Sequence, residues 1–341
     1  MENLEKMKVA INQVRGGSGA DVWAHNLCKG LQTADVSCSL DLLPGIYQFC
    51  PSLIPLRKTT CDEADVIQSN TWNGFAFRGE APLVITEHHV VHDPAYNPYR
   101  TLPQKIYHRW VYRYERKSLD VADTVTCDCE YTKKKLEEVF GYYGSQVVYV
   151  GIDNVLFKPA DVIRSAWNLP DNKTLLFFAG NLSKRKGADM LPSIMKQLGD
   201  GYLLLIASGQ KQGSLMGSKN IINLGRLSLE RLVEVYNICD IFLTASRLEG
   251  FGLSVAEAMA CGKPVVATNC SSLPELVVDG KGGLLCEMDN VKDFAEKISI
   301  LADDENMRQK MGLFNRKRIS EKFTIEKMTE EYLKVYLSVI Q

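Results

Sequence analysis

No apolar run in this chain of 341 residues approaches the twenty or so needed to cross a bilayer, so a transmembrane helix is not part of the reading. The start, Met1-Glu2-Asn3-Leu4-Glu5, lacks the basic and then apolar character of a secretory leader, and a cytoplasmic protein is expected. Positive charge is not in excess: 40 Lys and Arg stand against 41 Asp and Glu, a formal net charge of -1. That removes the global footprint of a nucleic-acid binder, and no stacking motif accompanies the local basic turns. The ten cysteines form no Cys-x-x-Cys pair. Only Cys127 and Cys129 stand close; alternation along a strand would point both thiols the same way, and two ligands do not make a zinc site. Free, mostly buried thiols in a reducing compartment are expected, with no metal and no cofactor. Repeats and low-complexity segments are also missing.

What is present is a strand-helix alternation of ordinary globular composition, long enough for two domains. An apolar-rich strand over 8–14 is followed by Gly16-Gly17-Ser18-Gly19 and a helical pattern on Val22, Trp23, Leu27 and Leu31. Further strands are expected at 66–69, 83–86, 124–126 and 147–150, with helices at about 103–119 and 131–140. After a link-like stretch at 151–159, a second series places strands at 175–179, 202–207, 221–224, 241–244 and 264–267. The expectation is α/β: two Rossmann-like, doubly wound parallel sheets, with domains at 1–150 and 151–323. A last helix, 324–341, is expected to pack back toward the first domain, and 151–159 to serve as the hinge.

The segment from Ser246 to Pro264 carries the most chemistry. It leaves a strand and enters a helix, and Gly250 and Gly252 bare the backbone where that helix begins. Free N–H groups and the positive helix end there suit a diphosphate. Glu257 lies inside the helix, within reach of a ribose, and Glu249 sits eight positions earlier at the sheet edge, where a carboxylate holds sugar hydroxyls. Taken alone, the two acids are equally well read as a solvated residue and a helix former. A second cluster, Lys184-Arg185-Lys186-Gly187 at a strand-to-helix turn, offers cations to a departing diphosphate.

Together these residues resemble a retaining glycosyltransferase of the GT-B fold, family 4, the group 1 glycosyltransferases. Glu249 to Glu257 matches the family's E-x7-E motif, and the match runs on through Gly262-x-Pro264-Val265-Val266-Ala267, Pro274-Glu275-Leu276-Val277 and Asp279-Gly280 to Gly283-Leu284-Leu285. Phe178-Ala179-Gly180 to Lys186-Gly187 resembles its donor-phosphate segment, except that Asn181 stands where many relatives have Arg; Arg185 is the candidate replacement. In the N-terminal half, Val84-Ile85-Thr86-Glu87-His88-His89 resembles the strand that ends in the sugar-contacting histidine, which makes His88 the candidate, or His89 if the register slips.

The resemblance implies two domains facing across a cleft and transfer of a sugar from a UDP- or GDP-linked donor to a carbohydrate or lipid-linked acceptor, without metal. It assigns His88, Glu249 and Lys186 to the reaction. Gly17, Ser18, Arg185, Lys186, Gly250, Phe251, Gly252, Leu253, Ser254 and Glu257 hold the donor, and Gly225, Arg226 and Leu227 lie near the base. Two other readings stay open: a GT-B nucleotide-sugar epimerase and a non-catalytic nucleotide-sugar-binding subunit. Residues 100–117 set Lys105, Arg109, Arg113 and Arg116 among Tyr107, Trp110, Tyr112 and Tyr114 at helical spacing. Such a helix either rests peripherally on the inner face of an anionic membrane or packs its aromatics inward with its cations solvated.

Overall fold

The computed structural model describes residues 7–56, 60–209 and 218–340. The first series of elements is β1 (Lys8–Val14), α1 (Gly19–Thr33), β2 (Ser37–Leu43), β3 (Val66–Asn70), β4 (Leu83–Glu87), α2 (Leu102–Val121), β5 (Thr124–Cys127), α3 (Glu130–Phe140) and β6 (Gln146–Val147). The second is β7 (Thr174–Ala179), α4 (Leu191–Leu198), β8 (Tyr202–Ala207), β9 (Ile221–Gly225), α5 (Leu229–Ile238), β10 (Ile241–Thr244), α6 (Leu253–Ala260), β11 (Val265–Thr268), α7 (Leu273–Leu276), β12 (Gly283–Cys286), α8 (Val291–Asp303) and α9 (Glu305–Lys322). A final helix, α10 (Ile325–Ile340), follows. The chain divides into two compact units: Met1–Gly151 with Phe323–Gln341, and Ile152–Lys322.

Unit 1 carries a parallel sheet in the order β2-β1-β3-β4-β5-β6. Strands β3 and β4 are buried at every position, as expected for a parallel sheet covered on both faces. Their C-terminal ends are nevertheless polar, with Gln68, Ser69, Asn70, Thr86 and Glu87 all buried. Buried polar groups need partners, and α10 supplies two. The Tyr332 hydroxyl lies 2.9 Å from Thr86 Oγ1 and 3.3 Å from Thr126 Oγ1, and Tyr336 donates to Gln68 Oε1 at 3.0 Å. Helix α10 also lies against α1 so closely that a Cβ on Gly30 would stand 2.0 Å from Thr329 Oγ1, which is why glycine occupies that helical position.

Unit 2 carries the order β12-β11-β10-β7-β8-β9, again all parallel. The strand order reverses between β7 and β10, the switch point at whose carboxyl side open α/β sheets bind ligands. The core on one face gathers Leu176, Phe178, Ile206, Leu243 and Val266 under α4 and α8.

Some expectations need correction. Strands β2 and β12 escaped notice because both are edge strands: β2 buries only Leu43 fully, and β12 is four residues long and opens with glycine. The strand expected at 147–150 is Gln146–Val147 only. Cys127 and Cys129 do not share a strand: β5 ends at Cys127, and Cys129 caps α3, its sulfur accepting from Thr132 N–H at 3.3 Å.

Candidate functional site

In unit 2 the loops after β7 and β10 meet at the switch point. Ser183 caps the turn Lys184–Lys186, and Gly187 closes it at φ +66°. A Cβ at Gly187 would lie 1.9 Å from Ala245 O, so this loop can cross the end of β10 only on a bare backbone. The crossing brings Lys186 to Glu249: Lys186 Nζ donates to Glu249 Oε1 at 2.6 Å, and Ser246 Oγ donates to the same oxygen at 2.6 Å. Arg185 Nη1 stands 3.6 Å from Glu249 Oε2 while donating to Leu248 O at 2.8 Å. Ser271 Oγ accepts from Glu249 N–H at 2.9 Å, and Ser272 Oγ donates to the carbonyls of Glu249 and Phe251.

The electrostatics follow from that packing. Burial acts to raise the Glu249 pKa, but Lys186 and Arg185 overcome it and hold the carboxylate below its ordinary value. Burial, and then Arg185, depress Lys186, with Glu249 opposing. Glu257 accepts from the Tyr236 hydroxyl at 2.6 Å, and burial pushes its pKa up to about 7 against the pull of Tyr236 and Lys186. The loop beneath is anchored by Arg247, which donates to Asp189 and Asp289, both at 2.7 Å. Gly252 is the N-cap of α6 at φ +99°, and the first-turn N–H groups of Leu253 and Ser254 lie ahead of any intrahelical acceptor. Gly250 is half-buried and Phe251 buried on the approach to that turn.

The third expected cluster lies elsewhere on the same sheet. Gly225 ends the edge strand β9 and Arg226 and Leu227 follow it, two strands from β7 and so about 10 Å along the sheet. Gly225 turns the chain at φ +72°, and its carbonyl already accepts from Ser208 N–H. Arg226 is exposed. Asn181 is exposed too, while Arg185 lies half-buried toward Glu249.

In unit 1 the glycine loop after β1 needs correction. The Gly17 amide is not bare: it donates to Asp21 Oδ2 at 2.7 Å, and Gly16 N–H donates to Asp21 Oδ1 at 3.1 Å. An acid in the first turn of α1 thus closes the loop on itself. Ser18 is the N-cap without a side-chain cap bond, and it is exposed. Of the two histidines after β4, His88 has the buried carboxylate partner: its Nδ1 lies 2.9 Å from Asp128 Oδ2. Trp23 meets the ring edge-on at 4.8 Å. Nε2 is buried with no protein partner among the described residues. Burial opposes the imidazolium, yet Asp128, with Glu87 and Asp21 behind it, raises the pKa above the ordinary histidine value. His89 is held through its amide, which donates to Glu87 Oε1 at 3.1 Å.

Sequence reasoning missed Asp128, Asp21, Ser246 and Tyr236. Asp21 had a local signal, an acid four residues after Gly17. Ser246 lies three before Glu249. Asp128 and Tyr236 are 40 and 21 residues from their partners, and only the fold joins them. Among the described residues no group of three or more His, Cys, Asp or Glu is placed to hold a metal ion, and no helix is long and apolar enough to cross a membrane.

Comparison with known proteins gives a consistent picture. The family described as Glycosyl transferases group 1 matches residues 160–318, and Glycosyltransferase Family 4 matches residues 36–155. A glycosyltransferase of Methanocaldococcus jannaschii is 32% identical over 242 residues, 69% of this chain and 64% of its own length. The chain spans under two thirds of the first curated relatives it matches, 64% of one and 48% of another. Sucrose-phosphate synthase from Thermosynechococcus elongatus superposes with a TM-score of 0.85 at 19% identity, over 98% of this chain and 99% of its own. HepE of Anabaena, solved with UDP and glucose, does so with a TM-score of 0.78 at 18% identity, over 97% and 100%. At such identities the likeness to the solved structures is one of fold.

Proposed function

The chain belongs to the group 1 glycosyltransferases of family 4 and has their GT-B fold, and on that premise we propose that it moves a sugar from a nucleoside diphosphate to an acceptor hydroxyl with retention. The observation that carries the reading is the buried Lys186–Glu249 pair at the switch between β7 and β10, beside the open first turn of α6. A carboxylate held ionised by two cations orients sugar hydroxyls, and the cations face the charge that grows on a departing diphosphate. In the proposed step the acceptor oxygen bonds to the anomeric carbon. The bond from that carbon to the β-phosphate oxygen breaks, its electron pair leaves with the nucleoside diphosphate, and the acceptor proton passes to a leaving phosphate oxygen. No side chain need act as a nucleophile.

In this proposal Glu249 orients the sugar, Lys186 and Arg185 receive the diphosphate with the α6 N–H groups, and Glu257 holds the ribose. Gly225 to Leu227 lie toward the base. In unit 1 His88, with its unpartnered Nε2, is the group assigned to the sugar, and the acceptor is a carbohydrate or a lipid-linked sugar. A UDP-linked donor is the first candidate, because HepE is solved with UDP and glucose; a GDP-linked donor is the second. Peripheral membrane contact through residues 100–117 belongs to the proposal as well: Trp110 is 53% exposed while Tyr107 and Tyr114 are half-buried, so the helix presents aromatics both ways.

The test is a binding and hydrolysis screen of the purified protein against UDP-, GDP-, ADP- and TDP-sugars, with and without EDTA. One donor is expected to bind and to release its nucleotide slowly and independently of metal. Binding of none of them overturns the proposal.

A further inference from the structure

One cavity of unit 1 is built for negative charge and plays no part in the donor site. It measures about 420 Å³ and is lined by His92, Arg100, Lys105, His108, Arg109 and Arg113. Small-molecule sites run to roughly 300–1,000 Å³. The lining comes from the loop after His88 and the first turns of α2, where spacing of four stacks Lys105, Arg109 and Arg113 on one helical face. Like charges so placed repel, which makes an uncompensated row a local cost to the helix.

Among the described residues no carboxylate pairs with that row. Arg100 Nη1 donates to Val91 O at 3.2 Å and lies 3.4 Å from His108 Nδ1, while its buried Nε has no protein partner among the described residues. Arg113 rests over the Trp110 ring, 5.2 Å from its centroid. The acid adjoining the cavity, Glu115, is fully buried, with Oε2 2.7 Å from His92 Nε2. Burial pushes its carboxyl well above the ordinary range, which favours the neutral form over an anion. Burial, with Arg100 beside them, pushes His92 and His108 down to about 4, so both stay neutral near pH 7 and offer hydrogen bonds rather than charge. Four cations, Arg100, Lys105, Arg109 and Arg113, therefore line one small volume, and among the described residues none of them is ion-paired with a carboxylate. A single carboxylate would not balance them, whereas phosphoryl oxygens accept forked bonds from several guanidinium groups at once.

We propose that this cavity is a phosphate site that binds the phosphoryl or diphosphoryl group of the acceptor. The anion site stands on the cavity alone; only its assignment to the acceptor rests on the transferase reading. Arg109 and Arg113 are exposed, so their replacement leaves the core intact. The probe is inorganic pyrophosphate, titrated by calorimetry into a variant carrying Arg185→Ala and Lys186→Ala, which removes both donor-side cations, and into the same variant also carrying Arg109→Gln and Arg113→Gln. Pyrophosphate is expected to bind the first and to bind the second at least tenfold more weakly, about 1.4 kcal/mol. Equal binding by the two, or none by the first, overturns the proposal. A nucleotide-sugar titration of the parent chain separates the two readings: if it fails while pyrophosphate binding survives, the transferase reading falls and the anion site stands. The source of the phosphate is resolved by competition with glucose 1-phosphate and by sedimentation with phosphatidylcholine vesicles containing phosphatidic acid. Vesicle binding that needs Arg109 and Arg113 assigns a lipid headgroup, and competition without vesicle binding assigns a soluble phosphate.

Discussion

Replacing Glu249 with Gln keeps the shape of the side chain and removes the charge that Lys186 meets at 2.6 Å. The Lys186 side chain, 16% exposed, then has two ways to respond. It stays charged, where breaking a buried pair costs about 3–5 kcal/mol. Otherwise it sheds its proton, which from an unfolded value near 10.4 costs about 4.6 kcal/mol at pH 7, at roughly 1.36 kcal/mol per unit. The second route caps the first, so the expected loss of unfolding free energy at pH 7 is about 3–4.5 kcal/mol. The pH dependence then identifies the cause. Burial and Arg185 already hold Lys186 below its ordinary pKa, and losing Glu249 lowers it further. Between that folded value and the unfolded one the unfolded chain binds more protons, so the variant regains stability as pH rises. Glu257, pushed up to about 7, titrates at the lower end of this window. The comparison is therefore best made between about pH 8 and about pH 10, still below the unfolded lysine value of ~10.4. Urea unfolding followed by circular dichroism, with hydrogen exchange of β10 amides reporting unit 2, measures the deficit against the parent. A deficit under about 1 kcal/mol, or a variant whose own stability does not rise across that range, refutes the reasoning, because a surface pair or a packing defect would behave so.

Three other outcomes are expected. With Asp128→Asn the balance at His88 reverses: burial then prevails, and the ring, whose proton is now retained above pH ~6.5, loses it below that value. Histidine NMR titration measures this, and an unchanged midpoint removes the pairing argument. Since the parent's raised pKa stabilises the fold below the unfolded value and is lost as pH rises through the folded one, the variant should also lose stability at pH 6 relative to pH 8. Gly187→Ala places a Cβ 1.9 Å from Ala245 O at φ +66°, and a loss of about 3 kcal/mol or more is expected in thermal unfolding; a near-neutral result would mean the loop crosses β10 differently. Tyr236→Phe removes the hydroxyl that draws the Glu257 pKa down, so that carboxyl should titrate above about 7 by infrared spectroscopy of its C=O stretch; no movement would place the hydrogen bond elsewhere.

The parts of the molecule legible in the sequence were those with local causes. Interior strands such as β4 and β10 are fully buried and so read as apolar runs, and the turns at Lys184–Gly187 and Gly250–Gly252 announce themselves through glycine and charge at strand ends. Edge strands β2 and β12 bury too little to show a pattern. At the candidate site Lys186 and Glu249 were each visible, but their contact across 63 residues was not. The same holds for His88 with Asp128: a lone aspartate after β5 looks like any solvated turn residue until the parallel pairing of β4 with β5 sets it beside the histidine. The closed glycine loop has a local cause in Asp21, whose carboxylate reaches back to the amides of Gly16 and Gly17. The cationic row on α2 reads in the sequence as a helix face, and only His92 and Arg100 of the preceding loop, packed beside it, make a cavity.

The return of α10 to unit 1 also constrains how the protein is made. A ribosome finishes β6 and then threads out the whole of unit 2 before residues 325–340 emerge, an interval of roughly 10–35 s at ordinary elongation rates. Throughout that time Thr86, Thr126 and Gln68 lack Tyr332 and Tyr336, and Trp23 beside His88 lacks the Tyr332 ring that packs 5.8 Å away. The nascent first sheet therefore waits for these partners while the second already has all its strands, so a chain cut short anywhere in unit 2 lacks the two tyrosines that pair the buried polar ends of β3, β4 and β5.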